Sequence, residues 1–66
     1  RVLRGGSLGR RVLQALMEAA RARGDREVVL HAQQSAEGFY TRLGFHPRGE
    51  RFIEAGIAHL EMFKPL

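Results

Sequence analysis

Apolar residues change their spacing along this chain, and that change limits the folds open to it more than any other feature. Over residues 8–23, Leu8, Val12, Ala15, Leu16, Ala19 and Ala20 recur at intervals of three and four, which is one face of a helix. Leu13 and Met17 widen the stripe, so the helix is expected to pack against a sheet. Arg10, Arg11, Glu18 and Arg21 fall mainly on the other side, and Gly24 stands where a left-handed cap belongs. The following EVVLHA holds an unbroken apolar run, Val28, Val29 and Leu30, and reads as a buried, parallel strand. A second, short helix then carries Phe39, Tyr40 and Leu43, with Ser35 placed to cap it, Glu37 in its first turn and Gly44 to stop it. Phe45 follows, and Pro47 blocks helical continuation.

The remainder has the period of strands. RFIEAGI runs into a turn near Ala55 and Gly56. AHLEMF then alternates, with Ala58, Leu60 and Met62 on one face and His59, Glu61 and Phe63 on the other. With Val2 and Leu3 as the tail of a first strand, the order is strand stub, helix, strand, helix, strand, strand. That order predicts an α/β (α+β) fold, a mixed sheet covered by helices, closing in an antiparallel hairpin.

A chain of 66 residues holds one domain and buries only a modest share of its surface. Such chains are usually reinforced by disulfides, a metal or oligomerisation. There is no cysteine, which excludes disulfides and thiolate metal sites and fits a reducing compartment, so a cytoplasmic location is expected. The chain begins at Arg1, in what reads as mid-strand, and is expected to be a fragment of a longer protein. A net charge of +4 favours anionic partners such as nucleic acid or a phosphorylated small molecule, and is equally the composition of an arginine-rich protein with a solvated charged face. No apolar run approaches the roughly 20 residues that span a bilayer, and no membrane partner is expected.

The stretch LRGGSLGRRV places Gly5, Gly6 and Gly9 where a strand turns into a helix. The first amides of a helix lack internal partners and carry the positive end of its dipole, so this is a place for an anion. Arg4, Arg10 and Arg11 could add charge and bidentate phosphate contacts. The Gly-Lys-Ser/Thr ending of a phosphate-binding loop is missing here, as is the G-x-G-x-x-G spacing of dinucleotide folds. A glycine-rich turn that binds nothing fits the loop equally well.

Taken together, the segments resemble the GNAT superfamily of acyl-CoA-dependent N-acetyltransferases. Arg4 and Gly9 match the ends of the family's Gln/Arg-x-x-Gly-x-Gly/Ala loop, and Ser7 stands where glycine is usual. AEGFYTRLGF is similar to the family's Ala-x-x-Phe-Tyr-x-x-x-Gly-Phe segment. LHAQ, GFHPRGERFIEAGIAHLEM and the closing KPL resemble the ElaA-like branch, with Glu54, Gly56, Ile57, His59 and Met62 in the matching positions. The resemblance covers nearly the whole chain but only the C-terminal half of such a domain.

It implies acetyl-CoA as cosubstrate and acetyl transfer to a primary amine. Residues 4–11 (Arg4, Gly5, Gly6, Ser7, Leu8, Gly9, Arg10 and Arg11) would hold the pyrophosphate. Gln33 would contact the cofactor or a bound water, and Phe39 and Tyr40 would lie along the helix beside the pantetheine arm. Tyr40 would protonate the departing thiolate, a task that suits a phenol. Glu54 and His59 are a candidate acid/base pair, although the base could equally lie in the missing half. Each has a plainer reading: Tyr40 as core packing and His59 as a strand histidine bonded to backbone. His31, His46 and His59 have no metal-ligand spacing, and no metal is expected. The rival reading is a non-catalytic basic fragment that binds nucleic acid or another polyanion, or a strand-paired homo-oligomer. No nucleic-acid motif supports the former. Pairing with the missing N-terminal half is a further expectation.

Overall fold

The computed structural model describes residues 2–4 and 9–66, with side chains from residue 9 onward. Its elements run β1 (Val2–Arg4), α1 (Arg10–Ala22), β2 (Glu27–Gln33), a 3-10 turn (Gln34–Ala36), α2 (Glu37–Arg42), β3 (His46–Glu54) and β4 (Ile57–Pro65). The expected order of strands and helices is therefore present. The four strands form one mixed sheet in the order β1-β2-β4-β3. β1 pairs parallel to β2, whereas β2–β4 and β3–β4 are antiparallel.

Alternation decides the layers. Val28, Leu30 and Ala32 of β2 join Leu60 and Met62 of β4 under Leu13, Met17 and Ala20 of α1 and Tyr40 of α2. Both helices thus cover the same face of the sheet. The other face of these strands carries His31 and Gln33 beside Glu61 and His59, as the β2–β4 register pairs them. It has no helix over it among the described residues.

Several local expectations are corrected. α1 starts at Arg10, after Gly9 as N-cap, and Leu8 lies outside the described residues. Its buried stripe is Leu13 and Met17, which were expected only to widen the face, together with Ala20 of the expected face. Val12 is 53% exposed, and Ala15 and Ala19 are exposed as well. The sheet meets a stripe one side chain wide, and the apolar residues of this helix cover more than that. Ser35 does not cap α2: it lies within the 3-10 turn, the N-cap is Ala36, and no side chain bonds there. The chain reaches the helix through 3-10 bonds, which take the place of a cap. β3 begins at His46, well before the expected RFIE, and includes Pro47. Proline is tolerated because β3 is an edge strand. Its pairing shifts between Arg48 and Phe52, a bulge at Gly49, whose φ is +80°. The turn at Ala55 and Gly56 has φ of 52° and 75°, the left-handed pair that a two-residue hairpin needs.

Both helices end alike. Asp25 N–H bonds Ala20 O and Gly24 N–H bonds Arg21 O; Phe45 N–H bonds Tyr40 O and Gly44 N–H bonds Thr41 O. These are paired Schellman closures around a left-handed glycine. At Gly44, φ is +95° and an added Cβ would lie 3.1 Å from Lys64 Cε. Gly44→Ala is expected to cost about 1–2 kcal/mol in urea unfolding, the penalty of a left-handed L-residue. Gly38→Ala, inside α2 with nothing within 4 Å of the new methyl, should instead stabilise by about 0.4–1 kcal/mol.

Candidate functional site

The first candidate region lies on the helix-covered side. α1 and the end of α2 leave a cleft of about 230 Å³, with Leu13, Met17 and Leu43 as apolar lining and Arg10, Arg42 and Lys64 as cations. Lys64 is fixed by donating from Nζ to Leu43 O at 2.8 Å, which also satisfies a terminal carbonyl of α2. Arg10 opens α1. The Gly9 cap offers no side-chain bond, and the first turn contains no acidic residue. Arg10 and Arg11 therefore sit at the positive end of the helix dipole, an arrangement that an anion would relieve. Of the residues expected to hold pyrophosphate, Gly5, Gly6, Ser7 and Leu8 lie outside the described residues, and Arg4 is described by its backbone alone.

Tyr40 lies in the core with 1% of its surface exposed. Its ring meets Phe45 edge-on at 5.9 Å and Phe39 at 5.1 Å. The Tyr-x-x-x-Gly-Phe spacing has a local cause: Tyr40 and Phe45 occupy the two positions whose side chains touch across a Schellman closure. Burial raises the phenol pKa above its ordinary value. Phe39, next along the helix, is 39% exposed.

The second region is the helix-free face. Here the structure brings Glu54 and His59 together: Glu54 Oε2 lies 3.7 Å from His59 Nε2. His59 Nδ1 is 2.7 Å from Ile57 O; a carbonyl only accepts, so Nδ1 carries the proton in this contact. His59 is buried, 6% exposed, and its ring stacks on Phe52 at 5.9 Å. Gln33 stands opposite His59 in the β2–β4 register. His31 lies beside them, with Nδ1 3.7 Å from Glu54 Oε1 and Nε2 3.9 Å from Glu61 Oε1. Arg48 donates to Glu61 Oε2 at 2.8 Å and to Glu27 Oε2 at 3.0 Å, and its guanidinium lies over Phe63 at 4.6 Å. The Glu61 hydrogen bond, with Glu27 adding to it against a desolvation cost, holds the Arg48 pKa above its ordinary value.

Acids and bases thus alternate across the face: Glu27, Arg48, Glu61, His31, Glu54, His59. Tyr40 is on the opposite face from Glu54 and His59. His31, Glu61, Arg42 and Lys64 were not singled out as site residues from the sequence. The alternation of AHLEMF already put Glu61 with His59, but the His31–Glu61 pairing depends on register, which no local pattern specifies. Among the described residues no group of three or more His, Cys, Asp or Glu is arranged to hold a metal, and no helix is long and apolar enough to cross a membrane.

The raised phenol pKa of Tyr40 has a consequence for stability. An acid held neutral in the folded state stabilises fully below its unfolded value, near 10, and that contribution is lost as pH rises through the folded value. Urea midpoints of the wild type should fall more steeply above about pH 10 than those of Tyr40→Phe, which lacks the titrating group.

The family model for an acetyltransferase (GNAT) domain matches residues 1–66. Among curated proteins of Bacillus subtilis (strain 168), the chain is 37% identical over 62 residues to the uncharacterized N-acetyltransferase YjcF, covering 92% of this chain and 44% of that one. It is 36% identical over 59 residues to the uncharacterized protein YyaT, covering 89% and 40%. The chain therefore spans about two fifths of the length of the relatives it matches.

Proposed function

The chain belongs to the GNAT acetyltransferase family, and from that premise we propose that it forms the coenzyme A-binding, C-terminal half of an acetyl-CoA-dependent N-acetyltransferase. The acceptor would be a primary amine, and the setting cytoplasmic. The observation that carries the reading is the cleft beside the opening of α1, where Arg10 stands with Arg42 and Lys64 around an apolar lining. A diphosphate with a nucleoside attached needs such a place: cations and free amides for the phosphates, methyl and methylene groups for the rest.

When bound, the cosubstrate supplies an acetyl group activated as a thioester. The chain's own residues would do the rest. Arg10 and Arg11, with the amides of the first turn and the loop from Arg4, hold the phosphates. Among the described residues β1 pairs with β2 from Val2–Val29 to Arg4–His31, and an extended arm would bond along β2 beyond that pairing, beside Ala32 and Gln33. Tyr40 supplies a proton to the departing sulfur from the helix side. Glu54 and His59 take one from the amine on the opposite face, directly or through water. Orientation of the two reactants provides a large part of the rate in such a reaction. The ElaA-like pattern of Glu54, Gly56, Ile57, His59 and Met62 supports placing the chain in that branch.

Calorimetry with acetyl-CoA, coenzyme A and a duplex oligonucleotide tests the reading. Heat with the first two, weakened in Arg10→Ala, is expected. A steep salt-dependent signal with the duplex and none with coenzyme A would replace it with polyanion binding. In a thiol-release assay on the whole enzyme that includes this half, Tyr40→Phe should lower kcat by about 10² or more and leave KM for acetyl-CoA little changed.

A further inference from the structure

We propose that His31 is a positioning residue of the transfer reaction: it holds Glu54 Oε1, so that Oε2 is presented to His59, and joins this pair to the Glu61–Arg48–Glu27 ladder. The inference rests on reading Glu54 and His59 as the pair that takes the amine proton.

Glu54 ends an edge strand, where a carboxylate is free to swing unless something holds it. Here each oxygen faces one imidazole, Oε1 toward His31 Nδ1 and Oε2 toward His59 Nε2, both at 3.7 Å. Those separations are about 0.5 Å or more beyond a direct hydrogen bond, and would close as the pair tightens on a proton. Phe52 fixes both rings, edge-on to His31 at 5.1 Å and stacked on His59 at 5.9 Å.

His59 donates from Nδ1 to Ile57 O, so Nε2 of the neutral ring presents a lone pair to a carboxylate oxygen. Two acceptors then face each other, and a proton placed between them is bonded from both sides. The pair is built to accept one. In the balanced step the amine nitrogen bonds the acyl carbon and loses a proton to this pair. The carbon–sulfur bond breaks, and the sulfur takes a proton through Tyr40. Solvent restores both groups.

His31 has carboxylates on both ring nitrogens, Glu54 at Nδ1 and Glu61 at Nε2. A neutral ring donates to only one of them. Facing it are Glu54 and Phe52 from β3 and Glu61 and His59 from β4. Arg48 and Glu27 complete the ladder, and Arg4 is its β1 register partner, with a side chain outside the described residues. Which carboxylate His31 serves decides whether Glu54 is held.

Asparagine and glutamine separate the two contacts. The Asn amide reaches the position of Nδ1, beside Glu54, and the Gln amide reaches that of Nε2, beside Glu61. Steady-state kinetics on the whole enzyme of which this chain would be the C-terminal half would use acetyl-CoA with spermidine, glucosamine and a lysine-containing peptide as acceptor probes. His31→Gln should lower kcat about tenfold or more, with KM for acetyl-CoA within about twofold, and displace the acid limb of the pH profile. His31→Asn should keep most of kcat and the wild-type profile. Equal losses in both variants, or none in either, would overturn the role of His31 alone, because wild-type turnover would still stand. A wild type that releases no thiol with any probe would overturn the transferase reading and the catalytic role with it. NMR of the imidazole nitrogens reads the contact without turnover: Glu54→Gln should shift the signals of both His31 and His59, and unchanged His31 signals would sink the coupling.

Discussion

The antiparallel pairing of β2 with β4, from Glu27 opposite Pro65 to Gln33 opposite His59, is the constraint on which the rest of the molecule depends. It fixes which side of each strand faces the helices. Leu30 pairs with Met62 and Ala32 with Leu60 on the apolar side, while His31 pairs with Glu61 and Gln33 with His59 on the other. A slip of one residue would exchange the two sets. His31 and Glu61 would then enter the core, and Leu30, now fully buried, would face solvent. The energetic cost of that exchange protects the charged face as well as the core, so the same register specifies the packing and the chemistry.

Helix termini do similar double service. α2 has only six residues and no side-chain cap at its start, so little of its stability is intrinsic. It is held at its end by the Schellman bonds around Gly44, by the Tyr40–Phe45 contact, and by Lys64 on the Leu43 carbonyl. Those contacts also settle where Tyr40 points. The residue for which we propose a proton-transfer role thus doubles as the anchor of this short helix. Its environment keeps the hydroxyl protonated, which is the state a donor requires.

Much of this was legible in the sequence, for identifiable reasons. The order of elements follows from the change of hydrophobic period, and the faces of β4 follow from the alternation of residues 58–63. Gly24 and Gly44 marked the helix ends because only glycine takes their backbone angles cheaply. What escaped was non-local. The stripe of α1 that meets the sheet could not be chosen from eight apolar candidates, since the choice depends on how the helix lies on β2. Pro47 obscured β3, because edge position is a property of the sheet and not of the segment. Glu54 and His59 were named as a pair from the sequence, and a two-residue turn brings them together. His31, twenty-three residues before Glu54, joins them only through the β2–β4 register.

Pro47, the bulge at Gly49 and the run of Arg48, Glu50 and Arg51 have a further effect on the outer rim of β3. A proline offers no amide, a bulge spoils the spacing of the neighbouring groups, and charge repels a flat neighbour. That rim is therefore a poor template for another chain. Of the two edge strands of the described sheet, β1 is the one that holds no proline, and so the one better suited to pairing.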